Sequence, residues 1–92
     1  MIGMCSDKDV AGVVRHLSGI AQRVWAVPIS NDRSLAPAKL AHLFADAGVE
    51  AKAMDAIPDA LHEAEDWARK AQSVVVIAGS IFLLGDVYSL YD

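Results

Sequence analysis

Ninety-two residues make one small domain, and eight Lys and Arg against twelve Asp and Glu leave a net charge of −4, with both signs scattered along the chain. No basic stripe is available to neutralise a phosphate backbone, and no apolar run approaches the roughly 20 residues that span a bilayer, so neither nucleic acid nor membrane is an expected partner. The N-terminus lacks the basic region, long apolar core and cleavage site of a signal peptide, which makes the cytoplasm the default compartment, and the single Cys5 cannot form an internal disulfide.

In chain order, residues 1–4 read as the tail of a strand. A sheet strand usually has about five or six residues, so the domain is expected to be truncated at its N-terminal side. Ser6 or Asp7 can cap the helix that follows, with Asp9 placed to favour its first turn. Val10, Val13, Val14 and Leu17 keep the spacing of a buried helical face, and Gly19 is a natural stop. Residues 23–28 form a second predicted strand, ended by Pro28 and followed by the polar loop 30–34 at its carboxyl end.

Pro37 suits the first position of a second helix, whose buried stripe is predicted as Leu40, Leu43, Phe44 and Ala47 and whose end is Gly48. The short strand expected over 49–54 carries Glu50 and Lys52, as an edge strand would. Pro58 starts a third helix with Ile57, Leu61, Ala64, Ala68 and Ala71 on or near one face. The run 73–80 has four successive aliphatic residues, Val74, Val75, Val76 and Ile77, which reads as a strand buried on both sides. Gly79 permits a tight turn and Ser80 can cap a last helix over 81–90, apolar nearly all round.

The predicted fold is α/β: a three-layer, Rossmann-like sheet of four mostly parallel strands alternating with helices. If the sheet order is 3-2-1-4, the first and last strands are neighbours at a topological switch point, where the loops 5–9 and 79–81 face one crevice. Two helix N-termini there, with Lys8 beside them, could hold a carboxylate or a phosphate. On residue chemistry alone ordinary capping is the stronger reading.

Other constellations are weaker. Asp7-Lys8-Asp9-Val10 is similar to the Asp-x-Asp of haloacid-dehalogenase-type phosphatases, but Cys5 and Ser6 stand between strand and Asp. Cys5 near a helix N-terminus could be an activated nucleophile, yet no His or Asn partner can be assigned and a structural Cys is the common case. His16, His42 and His62 fall on three different helices without metal-ligand spacing, so no metal site is expected. Neither common nucleotide-phosphate loop is present, and Trp25 and Trp67 read as core or strand-face residues.

Two motifs carry a resemblance. Gly3-Met4-Cys5-Ser6-Asp7-Lys8-Asp9 before a helix resembles the Gly-Met-x-x-Asp-Lys-Asp segment in the C-terminal domain of folylpolyglutamate synthase and the bifunctional dihydrofolate synthase. Gly79-Ser80-Ile81-Phe82-Leu83-Leu84-Gly85-Asp86-Val87 resembles that family's closing Gly-Ser-x-Phe-Leu-x-Gly-Glu-x segment, with Asp86 in place of Glu. The resemblance spans the whole chain and brings both motifs in the family's order.

It implies a Mur-ligase-like, ATP-dependent carboxylate–amine ligase. In that chemistry a folate carboxylate becomes an acyl phosphate, which the amine of glutamate attacks to give an amide, ADP and phosphate. The family's P-loop and metal ligands lie in a large N-terminal ATPase domain, so ATP and Mg belong to the full-length parent and no cofactor is expected in this chain. The chain also begins after the Asp-Gly-Ala-His-Asn-Pro segment that opens the family's C-terminal domain. By resemblance, residues 1–92 are a single incomplete C-terminal domain, without catalytic residues and inactive alone, that helps to place glutamate and close the site over folate.

Ser80, with the backbone of Gly79 and Ile81, is then the best candidate for holding the glutamate carboxylate. Asp7, Lys8 and Asp9 are candidates for support or contacts at the crevice, and Phe82 is read as packing. The alternative is a stand-alone α/β binding or interaction module without catalysis; an independent phosphatase is a third reading. An open sheet edge and an apolar helix surface are further expected to promote self-association.

Overall fold

Apolar residues at helical spacing become three helices, and the short runs between them become strands, in a computed structural model that describes residues 1–6, 9–79, 83, 87, 88 and 90. The elements alternate as β1 (Ile2–Gly3), α1 (Val10–Ser18), β2 (Arg23–Ala26), α2 (Pro37–Asp46), β3 (Glu50–Ala53), α3 (Ile57–Ala71) and β4 (Ala78–Gly79). The strands form one parallel sheet in the order β3-β2-β1-β4. The chain is an α/β domain of Rossmann-like type, and β1 and β4 are neighbours as the 3-2-1-4 order requires. Of the last helix expected over 81–90, Leu83, Val87, Tyr88 and Leu90 are helical; the rest of that expectation lies outside the described residues.

Successive residues of a strand face opposite sides, and β2 divides the core accordingly. Val24 and Ala26 join Ile2, Val14, Leu40 and Phe44 on the face covered by α1 and α2. Trp25 and Val27 join Met1, Leu61, Ala64, Leu83 and Val87 on the face covered by α3 and the last helical residues. Helices thus cover both faces, and Phe44, Leu40, Leu83 and Val27 are the largest fully enclosed side chains.

Most helix boundaries follow their expected signals, with local differences. Pro37 and Pro58 open α2 and α3 as expected. In α2, Ala41 is buried where Ala47 was expected, because the helix ends at Asp46 and Ala47 is already its exposed cap. The N-cap of α1 is Asp9, whose Oδ1 accepts a hydrogen bond from the Gly12 N–H at 3.1 Å; Ser6 stands outside the cap, and Asp7, the other expected cap, lies outside the described residues. Gln72 closes α3 in the left-handed conformation, φ 54°, while the Ser73 N–H donates to the Ala68 carbonyl at 2.8 Å. Across the sheet edge, Lys52 of β3 reaches Glu63 of α3 at 2.8 Å, and that hydrogen bond holds the Glu63 carboxyl below the usual glutamate range.

The run 73–80 departs from its expectation. Of its described residues only Ala78 and Gly79 join the ladder, and Val74 and Val76 are 77% and 67% exposed, whereas Val75 and Ile77 pack on the α3 side. The cause lies in the neighbouring strand. Met1 stands just ahead of β1, its amine donating to the Val76 carbonyl at 2.9 Å and its carbonyl accepting from the Ala78 N–H at 3.1 Å. Among the described residues none pairs in the sheet with 73–75, and Val74 and Val76 are left exposed.

Candidate functional site

The carboxyl ends of β1 and β4 meet at two glycines. Gly3 and Gly79 are direct partners in the parallel ladder, so the first residues of the two sequence motifs stand side by side at this end of the sheet. Close approach explains why both are glycine. Gly79 has φ +110°, and a Cβ there would be driven into the Gly3 carbonyl oxygen. A Cβ on Gly3 would lie 2.8 Å from Ile29 Cγ2 and 2.9 Å from the Val27 carbonyl oxygen. An L side chain fits neither position without displacing backbone.

The loop after β2 folds over the same end. The Leu35 N–H donates to the Met4 carbonyl at 2.8 Å and the Ser6 N–H to the Arg33 carbonyl at 2.7 Å, around an antiparallel bridge between Cys5 and Ser34. Its inner turn is stabilised by side chains: Ser34 Oγ accepts from the Ile29 N–H at 3.0 Å, and Asn31 Oδ1 from the Arg33 N–H at 2.8 Å. The polar residues 30–34 do lie at the carboxyl end of β2. Their antiparallel pairing with residues 5 and 6 is an addition of the structure; the local sequence signal is the dense turn chemistry of Ser30-Asn31-Asp32-Arg33-Ser34.

The predicted site residues divide as follows. Gly79 sits at the expected strand end, opposite Gly3. Asp9 is exposed and serves as the cap of α1, the ordinary role weighed for it. Asp7, Lys8, Ser80 and Ile81, with Phe82 and Asp86, lie outside the described residues. Cys5 is buried at 7% exposure within the α3-side core, which is packing and not the setting of an accessible nucleophile. His16, His42 and His62 are exposed on α1, α2 and α3, and His42 faces Asp46 at 3.5 Å. Among the described residues no group of three potential metal ligands lies together.

A cavity of about 280 Å³ opens at the opposite, amino end of the sheet, among Met1, Arg23, Val24, Trp25, Val74 and Val76. Trp25 and Trp67 meet edge to face there with ring centroids 5.7 Å apart, and the Arg23 guanidinium lies 5.3 Å from the Trp25 ring centre. Arg23 also approaches Glu50 at 3.8 Å, though its Nε is buried without a hydrogen-bond partner. The Trp25 indole N–H is likewise buried without a bond of good geometry, although its nearness to Glu63 helps to lower that carboxyl. The two tryptophans are therefore part of the core wall at this end, as their one-per-element placement led us to expect.

No helix among the described residues is long and apolar enough to cross a membrane. No protein-family profile, curated protein or solved structure matches the chain.

Proposed function

We propose that the chain acts as the glutamate-positioning C-terminal domain of a folylpolyglutamate or dihydrofolate synthase-type ligase, working with a separate ATP-binding domain. The observation that carries this reading is the pairing of Gly3 with Gly79. It brings the beginnings of two motifs from opposite ends of the sequence to one end of the sheet. In parallel α/β sheets that end is where ligands are held, by backbone N–H groups at helix N-termini that favour a carboxylate.

In this role Ser80 and the backbone at Gly79 and Ile81 hold a carboxylate of the incoming glutamate. Asp7 and Lys8 lie in the adjoining segment, while Asp9 fixes the start of α1. The chain's part in catalysis is placement: it orients the amine toward an acyl phosphate formed on folate by ATP and Mg held elsewhere. Folate, glutamate and the ATPase domain are its partners, and a cytoplasmic setting goes with that chemistry.

Nuclear magnetic resonance titration tests the reading. L-Glutamate is expected to shift the amide signals of Gly3, Cys5 and Gly79 saturably, whereas the isolated chain neither hydrolyses ATP nor forms the amide. Shifts absent from those amides would overturn the site, and turnover by the isolated chain would overturn the division of labour. The second reading, a stand-alone α/β binding or interaction module, is favoured by the ordinary capping role of Asp9. It is the reading left standing if glutamate moves none of these signals.

A further inference from the structure

Strand β3 is the edge of the sheet opposite β4, and among the described residues it pairs with β2 alone. The Met54 N–H donates to the Ala26 carbonyl at 2.9 Å, next to the Ala26–Ala53 pair. Backbone groups alternate along a paired strand, so Glu50 and Lys52 also turn theirs toward β2, and Ala51 and Ala53 turn an N–H and a carbonyl to the open side.

The side chains give that edge a charge sequence. Glu50 and Lys52 stand in register with Arg23 and Trp25 and share the α3-side face of the sheet. Their side chains are 71% and 50% exposed, and each keeps an opposite charge behind it: Arg23 lies 3.8 Å from Glu50, and Glu63 lies 2.8 Å from Lys52. Charge of one sign on an edge strand repels a second copy of that strand. Opposite signs two residues apart do the reverse for an antiparallel copy, provided that the residue between them lies on the twofold axis.

We propose that β3 is a pairing edge for a second copy of this chain, antiparallel about a twofold axis at Ala51, which joins the two sheets into one. Ala51 and the partner's Ala51 exchange N–H to carbonyl hydrogen bonds. Glu50 then faces the partner's Lys52, and Lys52 the partner's Glu50, with Cβ atoms about 4.5 to 5.5 Å apart. Charges alternate along the row Glu63, Lys52, the partner's Glu50 and the partner's Arg23. Charge also fixes the register: an axis at Lys52 sets that ammonium against the partner's Lys52, and an axis at Ala53 sets it against the partner's Met54. A strand of four residues makes a small contact, so the dimer is weak, its population follows concentration, and salt lowers it. The inference rests on β3 and stands apart from the ligase reading.

Sedimentation equilibrium and hydrogen exchange of the 92-residue chain, from about 10 μM to about 1 mM, test it. A monomer–dimer equilibrium is expected, with exchange at the Ala51 amide slowed at least about threefold across the range and the Lys52 amide, turned to β2, as internal reference. Glu50→Lys and Lys52→Glu each set like charges face to face and are expected to stay monomeric, whereas their equimolar mixture restores opposite charges and forms the mixed dimer. Ala51→Pro removes an outward donor and no bond to β2, so it is expected to fold and stay monomeric. A wild-type chain that is monomeric throughout would overturn the proposal, as would a mixture of the charge variants that does not associate. So would a dimer that survives Ala51→Pro or either charge variant, since it lies on another surface, such as exposed Val74 and Val76. Exchange at Ala51 is read on the unaltered chain and decides the matter whatever the variants' own stability.

Discussion

Gly79 and Gly48 both have positive φ, yet they carry different constraints. Gly48, at φ +88°, has nothing within 4 Å of an added Cβ, whereas at Gly79, at φ +110°, the added atom meets the Gly3 carbonyl. Gly48→Ala is expected to cost about 1 kcal/mol, the conformational penalty alone, and Gly79→Ala about 2 to 4 kcal/mol because strand β1 must also shift. Urea unfolding of the two variants measures the difference, and equal losses would mean that the close approach does not constrain the fold. Asp9 gives a second test at this scale. Asp9→Ala is expected to cost about 1 kcal/mol through the lost hydrogen bond to Gly12, while Asp9→Asn, also a good cap, stays near wild type. A loss in Asp9→Asn equal to that in Asp9→Ala would show that the residue contributes charge more than capping.

The element whose reading changed most is the segment leading into β4. Four aliphatic residues in succession have no polar face, and from sequence that pattern is the mark of a strand covered on both sides. Burial also depends on the neighbours a strand meets, and among the described residues β1 pairs only with Ala78 and Gly79 there, with Met1 just ahead of it bonding Val76 and Ala78. Val74 is 77% exposed while Val27 is fully buried, so the same change should act differently in the two. Val74→Thr is expected to alter stability by less than about 0.5 kcal/mol, and Val27→Thr to cost about 1 to 3 kcal/mol because its hydroxyl enters an apolar core. Equal costs by chemical denaturation would restore the buried-strand reading. The helices were more legible. Proline at the first turn and apolar residues three and four apart, as at Leu40 and Phe44 in α2 or Leu61, Ala64 and Ala68 in α3, are local signals that survive without knowledge of the partner. The pairing of residues 5 and 6 with 33 and 34 was not legible, since it depends on a long-range meeting of two loops.

At the scale of the whole molecule, strand order follows from alternation of elements and from parallel crossovers, and it brings Gly3 and Gly79 together from opposite ends of the sequence. The same topology places the Met1 amine inside the sheet, where burial lowers its pKa from 8.0 to about 6. The unfolded chain keeps that proton up to the higher value, while the folded chain releases it at the lower one. Between the two, the unfolded state binds more protons, so stability must rise with pH across this window and fall as pH drops toward 6. A separation of about two units at 1.36 kcal/mol per unit sets the contribution at about 2 to 3 kcal/mol, absent below the window and complete above it. Urea unfolding at about pH 5.5, 7 and 8.5 measures the slope, and an N-terminally acetylated chain serves as the reference because every other ionisable group is shared. The free-amine chain is expected to gain stability relative to the acetylated one as pH rises from 6 to 8. A difference that stays flat would mean that the charged amine reaches solvent in the folded state and that the chain frays at Met1, ahead of β1.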